Sequence, residues 1–166
     1  MTDRRPLVIA YGNRLRGDDA VGWVVADALR DDVRMDLVDV VAVHQLTPDL
    51  ANEVTKASRV VFVDARLDPT LAPGVVAVDA VLPQRDAGSM THDVGAGTIL
   101  SLAEALYGVH PPAVAVTVAI RSVEPGADLS GAVGASVSHL VDTVVRLCAE
   151  TSDAAETSDA AETTDA

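Results

Sequence analysis

Strand-length runs of branched aliphatic residues alternate with helix-period segments along nearly the whole chain, and this alternation leaves few folds open. Residues 6–11 (PLVIAY), 36–44 (DLVDVVAVH), 59–64 (RVVFVD) and 113–120 (AVAVTVAI) read as strands. Several of them are apolar throughout rather than at every second position, the pattern of strands covered on both faces. The intervening segments read as helices. One is expected near 20–31. A second has Thr47 as N-cap and Pro48 at its first position and runs to about Ala57. A third covers 94–107 and is stopped by Gly108, and in the last, over 129–149, Val133, Val137, Leu140, Val141, Val144 and Val145 recur at helical spacing. Residues 75–81 (VVAVDAV) follow the previous strand with no helix between, which predicts an antiparallel partner at a sheet edge. The order βαβαββαβα predicts an α/β fold, a three-layer αβα sandwich around a mostly parallel twisted sheet.

Composition narrows what such a domain can do. Among 166 residues only 2% are aromatic, so the core must be built from Val, Ala, Leu and Ile. The formal net charge of −13 argues against nucleic acid or an anionic membrane as partner. The single Cys148 excludes an internal disulfide and a Cys-rich metal site, and suits a cytoplasmic setting. The N-terminus does not read as a secretory signal, and no stretch approaches the roughly 20 uncharged apolar residues of a membrane span. Residues 149–166 differ in kind: AETSDA-AETSDA-AETTDA carries six acids and no base. The expected organisation is one domain over 1–148 and an acidic repeat tail over 149–166 that lacks the apolar residues to order itself. Without those six charges the domain still carries about −7.

The junction between the first strand and the first helix, Gly12-Asn-Arg-Leu-Arg-Gly-Asp18-Asp19, is where chemistry is concentrated. Turns at the carboxyl ends of parallel strands are the ligand-binding positions of open α/β sheets. A phosphate loop would present bare amides and a lysine there. This one presents two carboxylates, which repel phosphate and attract a cation. Asp64 closes the RVVFVD run, and His92 stands just before the third helix. If the first and third strands are neighbours, Asp19 and Asp64 come together. With His92 they would offer two carboxylates and an imidazole to a divalent transition metal, leaving positions open for a substrate atom. Each residue has a plainer reading: Asp18 or Asp19 as a helix cap, Asp64 as a loop acceptor, His92 as a surface histidine. His44, ending the second strand, is placed to line the same cleft. Gly95-Ala-Gly97 lacks the spacing of a dinucleotide fingerprint and suits close helix packing instead. Cys148 reads as an incidental thiol, His110 as a turn residue and His139 as a helix-surface residue.

These motifs, taken in order, resemble those of the nickel–iron hydrogenase maturation proteases. The hallmark Gly-Asn-x-Leu-x-x-Asp-(Asp/Glu)-Gly-x-Gly is met by Gly12, Asn13, Leu15, Asp18, Asp19 and Gly22, with Ala20 in place of a glycine. VVFVDA with Asp64 and THDVGAGTIL with His92 match the second and third signatures, and 44–50 (HQLTPDL) and 122–130 (SVEPGADLS) are also similar. The match covers about residues 6–147. The resemblance implies a phosphorylase/hydrolase-like sandwich and a C-terminal processing endopeptidase of the aspartic type. Its partner would be the hydrogenase large-subunit precursor, and its action removal of a C-terminal extension once nickel has been inserted. Asp19, Asp64 and His92 would contact the nickel, which the precursor carries and the isolated protein binds weakly. Asp19 or Asp64 would activate the attacking water. A monomer in the cytoplasm is expected. The competing expectations are a non-proteolytic nickel-binding maturation chaperone using the same three ligands, and a metal-independent peptidase acting on another protein.

Overall fold

The computed structural model describes residues 4–84 and 94–159. Five strands form one sheet: β1 (Leu7–Tyr11), β2 (Asp39–Val43), β3 (Val60–Leu67), β4 (Val76–Val81) and β5 (Ala113–Ile120), in the order β2-β1-β3-β5-β4. All neighbours are parallel except β4, which pairs antiparallel with β5 at one edge, as expected for a strand reached without a crossover helix. Four helices cover the sheet: α1 (Val21–Arg30), α2 (Leu50–Lys56), α3 (Ala96–Tyr107) and α4 (Gly131–Asp159).

The continuous apolar runs are explained by burial on both faces. In β3, Val61 and Val63 pack beneath α1 and α4 with Val25, Leu29, Leu140 and Val144. Val60 and Phe62 point the other way, among Leu50, Val54, Ile99 and Leu100 of α2 and α3. Successive residues of a strand face opposite sides, so every position of such a strand must be apolar. Phe62, fully buried, is the one large aromatic anchor of a core otherwise made of aliphatic side chains.

Three boundary differences from the sequence reading bear on the site or the tail, besides shifts of one to three residues elsewhere, such as β2 beginning at Asp39 and not at 36. α2 begins at Leu50, because Pro48 and Asp49 form a turn in which the Leu50 amide donates to the Thr47 carbonyl at 3.1 Å. The strand carrying Asp64 continues to Leu67, since β5 pairs with all eight of its residues; Asp64 therefore lies inside β3, opposite Thr117. The backbone of α4 continues helically to Asp159, into repeats for which composition gave no ordering contact; their alanines and glutamates are strong helix formers. The stretch Gly131–Glu150 has the length and mean hydropathy, 1.3, of a membrane span. Its buried residues Val133, Leu140, Val144 and Leu147 belong to the core beneath the sheet.

Candidate functional site

Strand lengths create the site. β1 stops at Tyr11, and its last partner across to β3 is Ala10 opposite Val63. β3 runs on, so Asp64 is the first residue beyond that pairing and stands beside Tyr11 on the face occupied by Ile9 and Phe62. The chain leaving β1 turns at once. Gly12 takes φ +143, and a Cβ there would lie 2.1 Å from the Asp19 carbonyl oxygen, so only glycine allows the loop to fold back this closely. A Cβ on Gly22 would approach the Tyr11 carbonyl to 2.7 Å, which is why α1 can start directly against the end of β1. The Trp23 indole N–H donates to the Gly12 carbonyl at 2.8 Å, and the Arg14 guanidinium lies 4.5 Å over the Trp23 ring.

Asp18 and Asp19 fall in a single turn of 3-10 helix, Gly17–Ala20, and their side chains diverge. Asp19 is half-buried, and its Oδ2 accepts the Asn13 amide at 2.9 Å. Asp18 is buried, and its Oδ1 accepts the Ser130 amide at 2.6 Å. Asp19, and not Asp18, is the negative charge that acts on Asp64. Ala20, the departure from the family motif, has φ −79 and ψ −6, a right-handed conformation open to any L-residue, so the missing glycine is not needed there.

Asp64 titrates far from an ordinary carboxylate. Burial is the main cause, and the Asp19 charge adds to it; the Ala65 amide at 2.8 Å and a hydrogen bond from the Tyr11 hydroxyl act in the opposite direction. The result is a pKa pushed up to about 7. Burial and the neighbouring Asp64 raise the Tyr11 phenol as well, which keeps it protonated and able to donate. Asp64 thus takes up a proton near neutrality, and either that proton or a cation relieves its repulsion with Asp19.

The structure brings Asp19 and Asp64 together. His92 lies outside the described residues. Among the described residues no group of three His, Cys, Asp or Glu side chains is gathered as a metal site would require, so two of the three expected contacts are in view. His44 is exposed immediately after β2, whose last residue pairs with Tyr11, and so stands at the same end of the sheet. Cys148 is buried, and burial pushes its thiol up to about 11, the state of an unreactive packing residue. His139 is exposed on α4, and His110 contacts the Pro111 carbonyl at 3.3 Å in the turn before β5. Of Gly95-Ala-Gly97 it is Gly97 that packs closely, a Cβ there approaching the Leu82 carbonyl oxygen to 2.8 Å and the Gln84 amide donating to its carbonyl at 3.1 Å, while Gly95 is open. Tyr11 and Ser130 were not among the residues singled out from sequence. Tyr11 reads as one more apolar strand residue, and the Ser130 contact spans 112 positions.

No family model matches the chain, and no curated protein sequence matches it. Solved structures do. The hydrogenase maturating endopeptidase HybD from E. coli superposes with a TM-score of 0.74 at 24% identity, over 89% of this chain and 93% of that one. The [NiFe] hydrogenase maturation protease HybD from Thermococcus kodakarensis gives 0.67 at 25% identity, over 87% and 99%. The hydrogenase 2 maturation peptidase from Thaumarchaeota archaeon SCGC_AB-539-E09 gives 0.65 at 25%, over 87% and 97%. In its fold, from the first strand to the last helix, the chain groups with the hydrogenase maturation proteases.

Proposed function

We propose that this protein is a hydrogenase maturation endopeptidase that removes a C-terminal extension from the nickel-loaded large-subunit precursor of a nickel–iron hydrogenase. The observation that carries the reading is the meeting of Asp19 and Asp64 at the carboxyl end of β1, beside β3, in a fold shared with named maturation peptidases.

In this reading nickel arrives as part of the substrate. Asp19 and Asp64, with His92, contact it, and it supplies the positive charge the carboxylate pair lacks. Its coordination fixes the precursor's terminal segment against the site, so the scissile bond is presented only by a loaded precursor. A water molecule then attacks the scissile carbonyl. One of the two carboxylates takes the proton of that water, and the proton is returned to the departing amine as the carbon–nitrogen bond breaks. The isolated protein, offering three ligands in a solvated cleft, binds nickel weakly. It works as a monomer in the cytoplasm.

A stoichiometric nickel chaperone is not favoured: the matched structures are named as peptidases. The test is incubation of the purified protein with nickel-loaded and nickel-free precursor, with the product read by mass spectrometry. Cleavage of the loaded form alone is expected. Equal cleavage of both, or of neither, would overturn the reading.

A further inference from the structure

We propose that Asp18 is a positioning residue for the site: its buried carboxylate ties the turn that carries Asp19 to the first turn of α4. This rests, for its effect on cleavage, on the processing reading above. Asp18 is only 6% exposed, and its Oδ1 accepts the Ser130 amide at 2.6 Å across 112 residues of chain. A buried carboxylate needs such a partner, and a charge-assisted bond of this length is strong. Ser130 is itself well anchored. It caps α4, its Oγ accepting the Val133 amide at 3.4 Å and its carbonyl the Gly134 amide at 2.8 Å. The helix behind it is held in the core by Val133, Leu140 and Val144. The Asp18 charge also lies at the end of α4 where the helix dipole favours it.

Two further contacts make the attachment a surface rather than a point. The Gly126 amide donates to the Leu15 carbonyl at 2.8 Å, and Gly17 packs against the backbone of Glu124. The loop 121–130 and the loop 12–20 are therefore joined at three places. Asp19 follows Asp18 directly in the same 3-10 turn, while its own carboxylate is held by the Asn13 amide at 2.9 Å. Its place over Asp64 is fixed from two sides, by Asn13 within the loop and by Asp18 through α4. The neighbouring acids thus divide the work: one faces the reaction and the other faces the scaffold.

The experiment compares wild-type protein with Asp18→Ala and Asp18→Asn. The asparagine retains an acceptor oxygen for the Ser130 amide and removes only the charge. Amide NMR is recorded at Ser130 and at Asn13, which reports the Asp19 carboxylate, and kcat and KM are measured on loaded precursor. Asp18→Ala is expected to shift both amides, to speed exchange at Ser130, and to lower kcat about tenfold or more with KM little changed, the pattern of a misplaced group. Asp18→Asn is expected to restore most of kcat. A folded Asp18→Ala that cleaves at the wild-type rate would overturn the proposal, as would an Asp18→Asn with native Ser130 and Asn13 amides and no recovery of rate. Should the wild-type chain cleave no precursor, the processing reading falls, and the tether is judged on the two amides: unchanged in Asp18→Ala, they refute it; shifted together, they uphold it.

Discussion

Aspartates at two places in this molecule meet opposite surroundings. On the rim, Asp32 and Asp68 have arginines beside them. Hydrogen bonding to Arg34, whose Nη2 lies 2.6 Å from Asp32, holds that carboxyl at about 2. Thr70 and then Arg66, at 2.9 Å, hold Asp68 at about 2 as well. At the carboxyl end of β1, beside the middle of β3, Asp64 is half-buried near Asp19, no arginine or lysine pairs with either among the described residues, and Asp64 rises to about 7. With only 12 basic residues for 25 acids, the chain pairs Asp32 and Asp68 with arginines, while among the described residues no ion pair reaches Asp19 or Asp64. The contrast is what the proposed reading uses, in which the precursor's nickel brings positive charge to Asp19 and Asp64.

The contrast can be broken most strongly at the cleft. Asp64→Asn removes the carboxylate to which the proposed reading gives the cation contact and the water's proton, and on that reading should lower processing by about 10²–10⁴-fold, the usual range for a positioned acid–base group. Processing at the wild-type rate would detach Asp64 from the chemistry. Phe62→Ala, two residues earlier in the same strand, should act on stability instead, costing about 3–5 kcal/mol by emptying the core beneath α2 and α3. Denaturant unfolding measures it, and a loss under 1 kcal/mol would contradict the packing described for Phe62.

The pH dependence of stability sharpens the comparison by its sign. Asp64 has a folded-state pKa above its unfolded value, so folding takes up a proton there. Its favourable contribution is complete below about 4 and is lost as pH rises to about 7, where the buried carboxylate must ionise beside Asp19. Asp64→Asn should therefore be more stable than wild type at pH 8, by roughly 1–4 kcal/mol given 1.4 kcal/mol per pKa unit, and should show a flatter profile between pH 4 and 7. The rim acids have the opposite sign, their contribution being lost only as pH falls toward about 2. Arg66→Ala, which removes the ion pairs of an exposed arginine with Asp68 and Asp79, should leave processing unchanged and move Tm by no more than about 2 °C. A large loss of activity there would mean that the rim and the cleft are not separate.

Much of this was legible before any coordinates, because the physics behind it is local. The Val-rich runs of β1, β3 and β5 could be nothing but strands covered on both sides, and the adjacency of β1 and β3 carried Asp19 to Asp64. What escaped depends on contacts distant in sequence. That Asp64 lies inside its strand follows from pairing with β5, some fifty residues later, which no local pattern reveals. The different fates of Asp18 and Asp19, adjacent and chemically identical, depend on Ser130. Tyr11 joins the site because the pairing of β1 with β3 ends at Ala10 and Val63, which leaves Tyr11 beside Asp64. The substitution of Ala20 for the motif glycine resolves in the same way: its backbone is right-handed and no glycine is required.

The most direct test of the central claim, that Asp19 and Asp64 form a processing site completed by the precursor's own cation, is a crossed assay. Wild-type protein and Asp64→Asn are each given nickel-loaded and nickel-free precursor, and C-terminal cleavage is followed by mass spectrometry. Cleavage in one of the four combinations, wild type with loaded precursor, is predicted; cleavage by Asp64→Asn at the wild-type rate, or of nickel-free precursor as readily as loaded, would contradict the account.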